Sequence, residues 1–166
     1  TGRWRVINGG ELEALCPVSE GAYVEGQEEG PWKGCVELPE RFYPGTVYCG
    51  QLSYEGGVLD GPIAVKDDTH SIEATYRKGK PHGVVIVRDA TSVIRKLVVD
   101  GTSIDRTDYI DGNPREHILC GPPSGADDGQ CIIAEAWNER GVRIAFAEPD
   151  PKTKSFRVRR WDDQGA

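Results

Sequence analysis

Wherever the hydrophobic pattern is regular, its period is two. Ile72, Ala74 and Tyr76 alternate with Glu73, Thr75 and Arg77, which predicts a half-buried strand whose successive side chains leave opposite faces. Val84–Val87 is apolar at every position and predicts a strand covered on both sides. A turn over Lys78–Gly83 separates these two, and Val93–Val99 predicts a third strand. Near the N-terminus Arg3–Ile7 alternates, Asn8-Gly9 supplies the pair that a type I′ turn requires, and Glu11–Leu15 returns, so this segment reads as a hairpin. Three later strands are predicted over Gln130–Trp137, Val142–Glu148 and Ser155–Trp161. No window combines a 3.6-residue period with caps. The chain reads as all-β.

The strands are punctuated by a phrase that recurs in frame: an aromatic, two residues, Gly, three residues, Gly. It stands at Tyr23–Gly26–Gly30, Tyr54–Gly57–Gly61 and Tyr76–Gly79–Gly83, and the last two copies are 22 residues apart at all three positions. The same step leads to Val98, Gly101 and Asp105, a worn fourth copy. Strand, Gly turn, strand and short link make each repeat one β-hairpin, and a period near 22 residues means a stack of such units. Gly26, Gly57, Gly79 and Gly101 are expected in equivalent turns at positive φ. The first interval is 31 residues rather than 22, and Pro31, Pro39 and Pro44 fall in the excess, which predicts an inserted loop over about 31–47. The period is lost past Tyr109, and 111–129 reads as an irregular connection. The expected organisation is an array over 1–110, then a connection and C-terminal strands over 111–166 that pack on it.

The run Tyr76-Arg-Lys-Gly79-Lys-Pro-His82-Gly83 resembles the MORN repeat, whose consensus runs aromatic-x-x-Gly-x-x-His-Gly after a Tyr-x-Gly. Tyr54–Gly61 and Tyr23–Gly30 look like further copies, and the resemblance covers roughly residues 19–110. The upstream Tyr-x-Gly survives only as Tyr48-Cys49-Gly50 and as Gly21, and the His only as His82. The resemblance implies a long, twisted antiparallel sheet used as a scaffold or docking surface. In some family members the array precedes the catalytic domain of a lysine methyltransferase or a lipid kinase. Residues 111–166 carry no Asn-His-x-Cys run, no Gly-rich phosphate loop and no Asp-Phe-Gly.

Composition narrows the partners. With 27 acids against 20 bases the net charge is −7, which repels phosphate backbones and anionic lipid. Neither nucleic acid nor a membrane span is expected, since no apolar run approaches the ~20 residues that a span requires. One basic run, Lys152 to Arg160, contains no acid and reads as a solvated strand face. The five cysteines include no Cys-x-x-Cys pair. In a secreted chain, Cys35 with Cys49 and Cys120 with Cys131 would be the bridges to test across hairpins. The lack of an Asn-x-Ser/Thr site favours an intracellular address with reduced thiols, the secreted alternative staying open. The start at Thr1 and the absence of Met read as a piece processed or excised from something larger.

Candidate chemistry is sparse. His70, His82 and His117 lack the spacing of a zinc site, and no Gly-x-Ser-x-Gly elbow occurs. The pairs Asp67-Asp68, Asp127-Asp128 and Asp162-Asp163 sit in turns without a calcium loop around them. No catalytic residue, metal ligand or cofactor is assigned. The aromatic slot is the better lead: Tyr23, Tyr54 and Tyr76 should line one sheet face, as the spine of the stack or as a binding surface. Trp32 and Tyr43 of the inserted loop are the expected exposed anchors. The leading expectation is a non-catalytic module for a protein partner, with self-association through open sheet edges. Two alternatives are a regulatory segment of a methyltransferase-like enzyme and a secreted carbohydrate-binding or hydrolytic β-protein.

Overall fold

The computed structural model describes residues 2–7, 18–38, 46–120, 131–149 and 156–164. These residues are strands, turns and short links with no helix, so the chain is all-β. They fall into two units, 1–90 and 91–166. No helix among the described residues is long and apolar enough to cross a membrane.

The first unit holds β1 (Gly2–Ile7), β2 (Val18–Val24), β3 (Gln27–Glu37), β4 (Val47–Glu55), β5 (Val58–Leu59), β6 (Gly61–Lys66), β7 (Ser71–Arg77), β8 (Lys80–Pro81) and β9 (Gly83–Arg88). The order is β1-β2-β3-β4-β6-β7-β9, with β5 pairing β4 and β8 pairing β7. β1 pairs antiparallel with β2, while the expected turn at Asn8-Gly9 and the return over 11–15 lie outside the described residues.

The repeat is visible in the backbone. Each outgoing strand ends in two residues at positive φ: Glu25 (53°) and Gly26 (83°), Gly56 (57°) and Gly57 (77°), Lys78 (51°) and Gly79 (76°). Two such residues make a type I′ turn, whose twist matches that of the flanking strands. Four positions later a second glycine is again at positive φ: Gly30 (70°), Gly61 (95°) and Gly83 (84°). There the returning strand bulges. Tyr76 faces Pro81 while Glu73 faces Ile86, so the return carries two more residues than its partner. The same excess separates Tyr54↔Leu59 from Gln51↔Ala64, and Ala22↔Glu29 from Glu20↔Lys33. Inside the bulges the N–H groups of Asp60 and His82 donate to the carbonyls of Ser53 (2.9 Å) and Thr75 (2.8 Å).

The bulge also explains a departure from the expected inserted loop. Residues 31–37 are not loop but the second half of β3, and β4 begins at Val47. Pro31 follows the bulge glycine, as Pro62 does one hairpin later. A bulged position owes no N–H to the ladder behind it, so proline is tolerated there.

Successive hairpins are joined by repeated bonds. The N–H of Gly57 donates to the carbonyl of Glu28 (2.9 Å), and that of Gly79 to Leu59 (2.8 Å). One residue earlier, the N–H of Gly56 donates to the Glu29 carboxylate (2.9 Å) and that of Lys78 to Asp60 (2.9 Å). These two turns are thus each capped by an acid of the preceding hairpin. The core of this unit lies on one parity of the strands, with Ile72, Ala74, Tyr76, Val85 and Val87 in one hairpin and Leu52, Ile63 and Val65 in the one before. Burying each Val, Leu or Ile contributes about 1.5–3 kcal/mol.

Cys35 and Cys49, directly across β3 and β4, form a disulfide, where the expectation was reduced thiols. Cross-strand register brings them together, and this is one of the two pairs that the hairpin reading placed face to face. Cys120 is also disulfide-bonded.

The second unit holds β10 (Ser92–Val99), β11 (Thr102–Ile110), β12 (Asn113–Cys120), β13 (Cys131–Trp137), β14 (Arg143–Pro149) and β15 (Phe156–Arg160), paired antiparallel in chain order. The fourth turn, Asp100 (49°) and Gly101 (88°), is type I′ as expected. Asp105 stands where the bulge glycine would be, and there the excess falls to one residue: Leu97 faces Asp105 and Val98 faces Ser103. Residues 113–120, expected to be irregular, form β12 instead, because Asp111 (49°) and Gly112 (78°) make a further I′ turn. Pro114 sits beside a register shift opposite Tyr109, again at a place where no ladder N–H is missed. Among the described residues of this unit, only Val98, Ala134 and Ala147 are buried hydrophobics.

Candidate functional site

The sheet of the first unit brings together three of the five residues expected to contact a partner. Trp32 projects from β3 between two tyrosines, with Tyr23 5.0 Å away and Tyr54 6.2 Å away, both edge-on to its ring. Its indole N–H donates to the Ala22 carbonyl (3.2 Å). Trp32 is only 6% exposed, so it is a core residue and not the exposed loop anchor expected. The reason is its slot: Trp32, Ile63 and Val85 each stand six residues after their turn glycine, and all three are buried. Gly21 makes the room, since a Cβ there would lie 2.1 Å from the indole ring.

Tyr76 is 1% exposed. It faces Gly61 across the sheet as Tyr54 faces Gly30, which is the spine arrangement. Burial pushes its hydroxyl up to about 12. Tyr23 and Tyr54 are half-buried. Burial raises both hydroxyls, and the Glu28 charge raises them further; Tyr23 donates to Glu28 at 3.4 Å. A tyrosine held protonated in this way is a hydrogen-bond donor, not a base. Tyr43 lies outside the described residues.

Around this cluster the sheet leaves an open concavity of about 790 Å³, with Gly21, Trp32, Leu52 and Ile63 among its apolar lining and Glu20 and Lys33 among its polar lining. Its volume falls in the range of ligand clefts, roughly 300–1,000 Å³. A mixed apolar and polar surface of this kind can hold a segment of another molecule.

The titratable groups elsewhere are tied into turns and strands. The Asp67 carboxylate accepts from the N–H groups of Thr69 (2.6 Å) and His70 (2.5 Å). Burial pushes its carboxyl up, but these bonds together outweigh that and hold it below its ordinary value. Asp162 accepts from the N–H of Gln164 (2.9 Å), and Asp127-Asp128 lies outside the described residues. In the second unit His117 is bracketed by Asp105 (3.3 Å) and Glu135 (3.4 Å), and Arg143 reaches Glu135 at 3.1 Å. The Arg143 guanidinium also lies 5.3 Å from Phe146 and 5.4 Å from Trp161. These groups meet across separate strands, so no local motif announced them. Lys96 faces Arg106, and burial first, then that guanidinium, lowers its ammonium against the pull of Asp108. Arg106 itself forks onto Asp108 at 2.7 and 2.5 Å.

Among the described residues no group of three or more His, Cys, Asp or Glu is placed to hold a metal ion. No protein-family model matches the chain, and neither a curated protein nor a solved structure does.

Proposed function

We propose that this chain is a non-catalytic binding module of MORN-like hairpins that presents the concavity of its first unit to a protein partner. The observation that supports this most is the open concavity of about 790 Å³, lined by successive hairpins. Trp32, held edge-on between Tyr23 and Tyr54, lines it as a buried ring instead of reaching out of it. A preformed surface on paired strands costs little ordering on association. The secreted carbohydrate-binding alternative is less well supported, because a ring as covered as Trp32 offers no open face to a sugar. The Cys35–Cys49 bridge does favour an oxidising compartment over the intracellular address.

The test is a selection of binding peptides from a random display library. Selected peptides should shift the NMR resonances of Gly21, the Trp32 indole and Ile63. Ala64→Trp, on an exposed lining residue, should weaken them about tenfold by filling the concavity. A selection that returns no saturable binder, or binders indifferent to Ala64→Trp, contradicts the proposal.

A further inference from the structure

The last strand of the second unit combines two properties seldom left together. β15 pairs with β14 along one side, from Ala145↔Arg160 to Pro149↔Phe156. It is terminal in the strand order, and no described strand lines its other side. An open edge carries a row of N–H and C=O groups ready to pair with another extended chain. This edge is also strongly basic in a chain whose net charge is −7, with Arg157, Arg159 and Arg160 all exposed. Between them Val158 is 53% exposed.

Alternation divides these side chains. Arg157 and Arg159 leave one face of the strand, and Val158 and Arg160 the other. Arg159 reaches Glu148 at 2.9 Å on the neighbouring strand, and Arg157 stands directly opposite Glu148 in register, so an acid on the open side would find a cross-strand geometry that this strand already uses. An incoming strand therefore meets positive charge on both faces and an apolar contact at Val158.

We infer that β15 is an acceptor edge for an acidic, extended segment of a partner protein, which adds to the sheet as a further strand. Opposite charges directly across two strands favour pairing, and like charges oppose it. The same arginines that invite an acidic strand repel a second copy of β15, so the edge is selective and not simply adhesive. This surface belongs to the second unit and does not depend on the concavity of the first.

The probe is a short fluorescent peptide of alternating glutamate and valine, titrated by anisotropy into the intact chain. Saturable binding is expected below about 1 mM, with NMR shifts at the amides of Arg157, Val158 and Arg159. Arg160→Glu, which leaves Arg157 and Arg159 beside Glu148 in place, should weaken binding about tenfold without altering the melting transition. If that variant fails to fold, Arg160→Ala takes its place with the same direction expected. The same peptide with D-valine keeps its charge but cannot run as a regular strand, and it should also lose about tenfold. The inference is overturned if no saturation is reached, if the charge-reversed variant binds equally, or if the D-valine peptide binds as well. It is equally overturned if sedimentation finds the chain already paired with itself through β15.

Discussion

Tyr76 places its ring wholly inside the first unit, yet its hydroxyl has no hydrogen-bond partner among the described residues. A buried, unsatisfied hydroxyl costs about 1–3 kcal/mol, while the ring it sits on is worth far more. Tyr76→Ala should therefore destabilise by about 3–5 kcal/mol, and Tyr76→Phe should be neutral or stabilising by about 1 kcal/mol. Chemical denaturation of the two variants checks both signs. The hydroxyl also sets a pH dependence. With the folded value raised from 10.0 to about 12, ionisation opposes the fold. Stability is complete below pH 10.0 and falls as pH climbs toward about 12. Tyr76→Phe should flatten that alkaline decline. The aromatic slot was legible in the sequence because Tyr54 and Tyr76 repeat in frame. The role of Trp32 was not, because its slot-mates Ile63 and Val85 are aliphatic, and counting six residues from each turn glycine was needed to align them.

The element that gives the chain its repeat is a bulged hairpin: a type I′ turn, then a second glycine, then two extra residues on the return. The turn glycines were readable because few other residues enter the left-handed region cheaply. The bulges were not, because proline near a strand signals a break unless the ladder is known to skip that residue. That is why Pro31 suggested a loop where β3 in fact continues. The first position of the third turn is held by Lys78 at a φ of 51°, a conformation that asparagine tolerates better than lysine. Lys78→Asn should stabilise by about 0.5–1 kcal/mol, the order of the left-handed penalty it relieves, and its N–H still meets Asp60. Asp60→Ala removes that acceptor and should cost about 0.5–2 kcal/mol, as losing a side-chain cap on a backbone N–H does at helix starts. A gain from Asp60→Ala would show that the caps between hairpins contribute nothing.

At the scale of the whole molecule the two units are held by different means. The first has a continuous buried row and the Cys35–Cys49 bridge, whereas the second buries few large side chains and adds to its own disulfide-bonded Cys120 the Arg106–Asp108 pair and Arg143 over two rings. Reduction with dithiothreitol should lower the melting temperature, since closing a loop of sequence separation 14 is worth roughly 3 kcal/mol in the entropic model. An unchanged transition after complete reduction would mean that the β3–β4 pair needs no covalent tie. Composition and periodicity made the all-β class legible. They could not reveal the network of Asp105, His117 and Glu135, whose members meet only through strand register. Successive hairpins dock in one repeated register, and amide hydrogen exchange at two glycines checks this. Gly57 and Gly79 lie in turns, where isolated hairpins would exchange freely, but each donates its N–H to the preceding hairpin at Glu28 and Leu59. Both amides should be protected together with the strands beside them. Exchange of both at the rate of an unprotected turn would contradict it.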